Sequence, residues 1–161
     1  MLIWRLCRAI HAAGAFSGEG ARRYGGRWNS RGVPMVYCSS SLALAAIELF
    51  VHLDPTQTPS DLVAIAATLP EGEPARTITQ DELPQDWWAD PAATRELGDA
   101  WIGNMSMRAG SSLALRVPSV PIRAEWNVLL NPLHPRMAKL RIDPPQPFVF
   151  DARMFSGLEK S

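Results

Sequence analysis

Long apolar runs, an excess of charge of either sign, and cysteine are all scarce in this chain of 161 residues. The apolar opening stretch, Met1–Ile10, is short and carries Arg5 and Arg8 inside it, so it reads neither as a signal peptide nor as a membrane span. Sixteen basic residues balance sixteen acidic ones. A nucleic-acid binder normally shows a basic excess, so that function is not expected. Cys7 and Cys38 are two isolated thiols, too few for a disulfide framework or a zinc site. They read as buried and reduced, which fits a cytoplasmic protein. Internal repeats and low-complexity tracts are missing. Neither a Walker A loop, a GxGxxG fingerprint nor a GxSxG elbow occurs. His134 has no evident orienting carboxylate and one histidine does not build a zinc centre, so neither a Ser-His-Asp relay nor a metal is expected.

What is present is ordinary globular composition, 47% apolar and 20% charged, in a length that suits one domain. Strands are expected at Leu2–Cys7, Pro34–Ser40, Leu62–Leu69, Ser112–Val117, Trp126–Leu130, Met137–Ile142 and Phe148–Phe150. Ser40 or Ser41 caps a helix running to about Leu53, and Asp90-Pro91 opens a second one reaching about Ser106. Six glycines between Gly14 and Gly32 argue against a regular element there, and Pro70–Pro84 reads as loop. Fourteen prolines break the chain into short pieces, which predicts a mixed α+β domain rather than βαβ alternation.

Three places invite chemistry. In "RYGGRWNSRG", Gly25-Gly26 frees the backbone to approach a ligand, and Arg27, with Arg22, Arg23 and Arg31, makes a local basic patch in a neutral chain. The patch reads either as solvated loop arginines or as an anion grip, and Trp28 is wide enough to need something to pack against. In "SLALAAIELFVHL" the helix is apolar on most sides, leaving Ser41, Glu48 and His52 as a narrow polar strip. Glu48 then faces either solvent through a slot or a ligand cleft, with His52 its half-buried neighbour. Tyr37, eleven residues earlier, suits either core or a stacking face. Ser119, between Pro118 and Pro121, reads first as a turn serine. Trp87, Trp88 and Trp101 suit core packing or protein contacts.

Taken in order, these pieces resemble the RES-domain toxins of bacterial toxin–antitoxin pairs. The carriers are Trp4-Arg5, "GGRWN" at Gly25–Asn29, "GVPMVYCS" at Gly32–Ser39, "ALAAIE" ending at Glu48, "VPS" ending at Ser119, "NVLLNPLHP" at Asn127–Pro135 and "FDARMF" at Phe150–Phe155. They span nearly the whole chain, residues 1–161, as one domain; Arg76–Ser111 carries no recognisable motif. The resemblance implies a fold similar to the ADP-ribosyltransferase toxins, with two small packed sheets and surrounding helices. It implies NAD+ as substrate, cleaved at the nicotinamide–ribose bond by hydrolysis or phosphorolysis, or else ADP-ribose transfer to a protein. A non-catalytic partner-binding domain is the third alternative. Residue by residue, it places the family's Arg, Glu and Ser on Arg27, Glu48 and Ser119. Arg5 becomes a second arginine of the site, and Tyr37 or Trp28 would stack on nicotinamide. The implied partner is a DNA-binding antitoxin of the Xre type that blocks the cleft, with room for a homodimer inside the complex.

Overall fold

Ser41 starts the central helix: its backbone is extended and its side chain accepts from the Leu44 amide. One of the amide groups orphaned at any helix start is thereby satisfied. In the computed structural model, which describes residues 1–54, 59–73, 75–105 and 112–155, this helix is the second of three. The elements in chain order are β1 (Leu2–Arg8), α1 (Glu19–Tyr24), β2 (Val36–Ser39), α2 (Leu42–Phe50), β3 (Leu62–Thr68), β4 (Ala75–Thr77), α3 (Ala92–Met105), β5 (Ala114–Pro118), β6 (Trp126–Leu130), β7 (Arg141–Ile142) and β8 (Gln146–Phe148).

The strands run in the order β4-β5-β6-β2-β1-β3-β7, with β8 also on β3. Only β4 and β5 are parallel, so the class is the expected α+β with a mixed sheet. Its two halves are unequally joined. β5 and β6 pair over five residues and β1 and β3 over seven, whereas β1 and β2 pair only at Trp4 and Ser39. The strands form one hydrogen-bonded sheet, seven on the path and β8 beside β3, that all but separates at this seam, which is how a single sheet resembles two small ones.

Strand alternation sorts the core. Leu115, Val117 and Leu129 face the tryptophan-rich side, with Trp28, Trp87 and Trp101. Ala114, Val128 and Leu130 face the other side, with Ile3, Val36 and Ala67. A third cluster sets Phe50 of α2 against Phe150 and Phe155, ring centroids 5.8 and 5.2 Å away, so the "FDARMF" segment fastens α2 to its half-sheet.

Several local expectations change. The glycine-rich stretch does hold a helix, α1: Gly18 before it and Gly25 after it take positive φ, so glycine delimits the helix instead of preventing it. Pro70–Pro84 is not all loop, because β4 finds an edge partner in β5 and Gln80–Glu82 forms a 3-10 turn under a Thr79/Glu82 capping box. Met137–Ile142 is mostly a 3-10 turn, Pro135–Lys139, begun by Pro135 and His134; only Arg141–Ile142 pairs as strand. The expected end of the second helix at Ser106 lies outside the described residues. No described helix is long and apolar enough to cross a membrane.

Candidate functional site

Where β1 parts from β2 the chain opens a cavity of about 700 Å³. Ligand pockets span roughly 300–1,000 Å³, so the volume suits a small organic molecule. A smaller hollow of about 190 Å³ sits in the seam itself and shares Arg5, Tyr37, Glu48 and Asn127 with the larger one. Those four residues come from β1, β2, α2 and β6.

Each is held by a specific contact. Arg5 donates from Nη1 to the Tyr37 carbonyl at 2.6 Å, spanning the seam that strand pairing leaves open. Its buried Nε has no hydrogen-bond partner among the described residues. Tyr37 donates its hydroxyl to Asn29 Oδ1 at 2.7 Å and accepts from the Trp28 amide at 2.9 Å. Burial pushes that hydroxyl well above its ordinary value, so Tyr37 stays neutral and hydrogen-bonded. Glu48 accepts from the side-chain amide of Asn127, whose oxygen accepts from Ser39 Oγ at 2.7 Å. The polar strip of α2 therefore looks into the cleft: Glu48 lies on its wall and His52 at its rim.

Arg27 reaches the same cavity from the glycine turn. Its Nη1 and Nη2 donate to the carbonyls of Trp87 and Trp88, both at 3.0 Å. Burial lowers its pKa from the usual arginine value, the negative charge of Glu48 acts the other way, and Arg95 lowers it further. An arginine so perturbed is still cationic at neutral pH. The turn needs glycine: a Cβ on Gly26 would lie 2.5 Å from the Tyr37 hydroxyl and 2.8 Å from Asn29 Oδ1. From the far side α3 clasps the turn, with Thr94 Oγ1 donating to the Arg27 carbonyl at 2.7 Å and Asp99 accepting from Ser30 N at 2.9 Å.

Of the residues singled out from sequence, Arg5, Arg27, Tyr37 and Glu48 thus meet around one cavity. Trp28 also borders it, but the residue is only 3% exposed and its ring packs on Trp87 at 6.4 Å between centroids, so its face is used in the core. Ser119 is fully buried and is not among the cavity's lining residues. Its Oγ accepts from Ile122 N at 3.1 Å, closing the turn that presents Pro118, Val120 and Pro121 to the cavity. Trp87 and Trp101 are core, while Trp88 lies under the Arg123 guanidinium at 3.7 Å.

Asn127, Tyr24 and Arg95 are among the lining residues that were not singled out from the sequence. Asn127 stood inside a quoted motif, and its pairing with Glu48 is a tertiary fact. Tyr24, 75% exposed at the end of α1, carried a signal in the "RRYGG" run, a large ring beside a turn. Arg95 lies on α3 in the stretch without motifs and had none.

A family model described as "RES domain" matches residues 2–151. The chain belongs to the RES domain family. A protein of Photorhabdus laumondii named "Toxin Res" is 36% identical over 135 residues, covering 83% of this chain and 83% of the relative. A protein of a Sphingobium species named "Prs ADP-ribosylating toxin" is 33% identical over 155 residues, covering 94% of each. Among solved structures, the M. tuberculosis MbcT-MbcA toxin-antitoxin complex holds a chain of the same fold, with a TM-score of 0.70 at 18% identity, over 99% of this chain and 89% of that one. In this RES domain Arg5, Tyr37 and Glu48 border the seam between the half-sheets, Arg27 reaches the cavity from the glycine turn, and Ser119 stands apart from it.

Proposed function

We propose that this RES domain is the toxin of a toxin–antitoxin pair and that it cleaves the nicotinamide–ribose bond of NAD+. The observation that carries the reading is the placement of the Glu48 carboxylate on the wall of a cavity that also holds the Arg5 and Arg27 guanidiniums. In that cleavage the bonding pair leaves with nicotinamide, and positive charge builds on the ribose, as in glycoside hydrolysis. A fixed carboxylate steadies the developing cation, and a low-dielectric wall strengthens the effect. Asn127 and Ser39 hold that carboxylate in one orientation. Tyr37 lines the cavity with it, and Arg5 holds Tyr37 by bonding its carbonyl. Water or phosphate then takes the ribose carbon. Ser119 serves the reaction through the turn it closes.

The relative named an ADP-ribosylating toxin favours a second reading, in which the same cavity activates NAD+ but a protein side chain takes the ADP-ribose. Both readings need the same cationic state. An antitoxin that covers the cavity mouth completes the proposal, supported by the toxin-antitoxin title of the structural neighbour.

Mass analysis of the products formed from NAD+ by purified, antitoxin-free protein, with and without phosphate, tests this. Free ADP-ribose or its phosphate supports the first reading, and a labelled cellular protein from tagged NAD+ supports the second. Intact NAD+ under every condition defeats both.

A further inference from the structure

The cavity is lined by three guanidiniums, on Arg5, Arg27 and Arg95. Their hydrogen-bonding commitments differ. Arg27 gives both terminal nitrogens to backbone carbonyls, and Arg5 gives one to Tyr37. Arg95 spends only Nε, on the Gly26 carbonyl at 2.9 Å. Arginine has five N–H donors, so among the described residues both terminal nitrogens of Arg95 remain open and form no ion pair.

The Nε bond also fixes where that open fork lies. It ties Arg95 to the Gly25–Gly26 turn, where Gly25 holds φ at 72°. Arg27 follows immediately in the chain, and the two like charges sense one another. Glu48 offsets part of the charge on Arg27, whereas Arg95 forms no ion pair among the described residues, so a ligand carrying two negative charges would be drawn to the Arg95 side of the cavity. The planar fork of arginine matches phosphate oxygens in pairs.

We propose that Arg95 is the diphosphate ligand of this cavity and makes it prefer a nucleoside diphosphate moiety over an unphosphorylated nucleoside. The inference rests on reading the cavity as a dinucleotide site. It moves the main diphosphate contact from Arg27, whose fork is engaged with Trp87 and Trp88, to a residue of α3. Arg27 then supplies charge at short range while holding its own turn in place. α3 is more than a clasp for the turn: it brings specificity into the site from outside the family's motifs.

Equilibrium binding of ADP and of adenosine, measured by calorimetry on the antitoxin-free protein, tests this. The wild type binds ADP more tightly than adenosine, and added salt weakens ADP alone. Arg95→Ala lowers the ADP affinity by about tenfold to a hundredfold and leaves adenosine within about twofold. Arg95→Gln, which keeps a donor for the Gly26 carbonyl without the charge, does the same. Thr94→Val removes another bond from α3 to the same loop and shifts both ligands alike or neither. The proposal is overturned by a wild type that does not prefer ADP, by Arg95 variants with undiminished ADP affinity, or by equal losses for both ligands. Turnover of NAD+ is scored separately. A wild type that holds ADP through Arg95 yet leaves NAD+ intact keeps this inference and removes the proposed function.

Discussion

The side-chain amide of Asn127 lies between the hydroxyl of Ser39 and the carboxylate of Glu48, accepting from the first at 2.7 Å and donating to the second. A hydroxyl donor on one side and a carboxylate acceptor on the other leave the amide one sensible orientation. β2 and β6 are paired at this point, Ser39 opposite Asn127, so the sheet itself aims the amide at α2.

Asn127→Leu keeps the bulk and removes the amide. Steady-state kinetics with NAD+ should show kcat falling about tenfold with KM within about twofold, because a less well-held Glu48 is felt mainly in the transition state. A rise in KM with kcat intact would mean that Asn127 touches the substrate instead. Glu48→Gln should cost more, about 10²–10³ in kcat, as losing a preorganised electrostatic group does.

Ser119→Ala discriminates between a ligand contact and a turn. The buried Oγ accepts one backbone hydrogen bond, from Ile122, so its loss should cost about 1 kcal/mol, or roughly 2–4 °C of melting temperature. Turnover should stay within about twofold. A variant that melts like wild type but has lost its activity would restore the direct contact with the ligand that the family resemblance implies.

Gly98→Ala probes the grip of α3 on the arginine-bearing turn. A Cβ there would sit 1.8 Å from the Trp28 carbonyl oxygen, which neither backbone can absorb without moving. Overpacking of this kind costs roughly 1–3 kcal/mol or more, so thermal denaturation should show a loss of at least about 2 °C. Gly103→Ala on the same helix has open space and should melt close to wild type.

Cys38 gives a pH test. Burial is the main cause pushing its thiol from the usual 9.0 to about 12, with nearby Arg5 pulling weakly the other way. The folded state thus holds this proton more tightly than the unfolded chain. The stabilising contribution is whole below about pH 9 and disappears as pH rises through about 12. Denaturant titrations at rising pH should show stability falling in that window, and Cys38→Ala should flatten the fall. Alkylation at pH 8 should leave Cys38 unmodified until the protein unfolds.

Much of this molecule was readable in advance where the signal is local. The Ser41 cap, the strands at Leu2–Cys7 and Trp126–Leu130, the α+β class and the polar strip carrying Glu48 depend on residues within a few positions of each other. Gly25-Gly26 was expected to bring the backbone close to a ligand; what the structure shows is the Tyr37 hydroxyl standing where a Gly26 Cβ would be. Other features depend on distant partners. β4 is strand because β5 lies beside it, and Trp28 is core because Trp87 closes over it.

The sequence by itself determined that a glycine turn would carry Arg27 and that an apolar helix would carry one carboxylate, since backbone freedom and helical periodicity are properties of neighbouring residues. Only the tertiary structure decided that Glu48 faces inward, that Asn127 holds it, and that Arg95 keeps an open fork at the same cavity. Those outcomes turn on which chain segments meet at the poorly paired seam between β1 and β2. Such meetings are settled by packing and by the satisfaction of buried polar groups across the whole fold, which short sequence spacings do not encode.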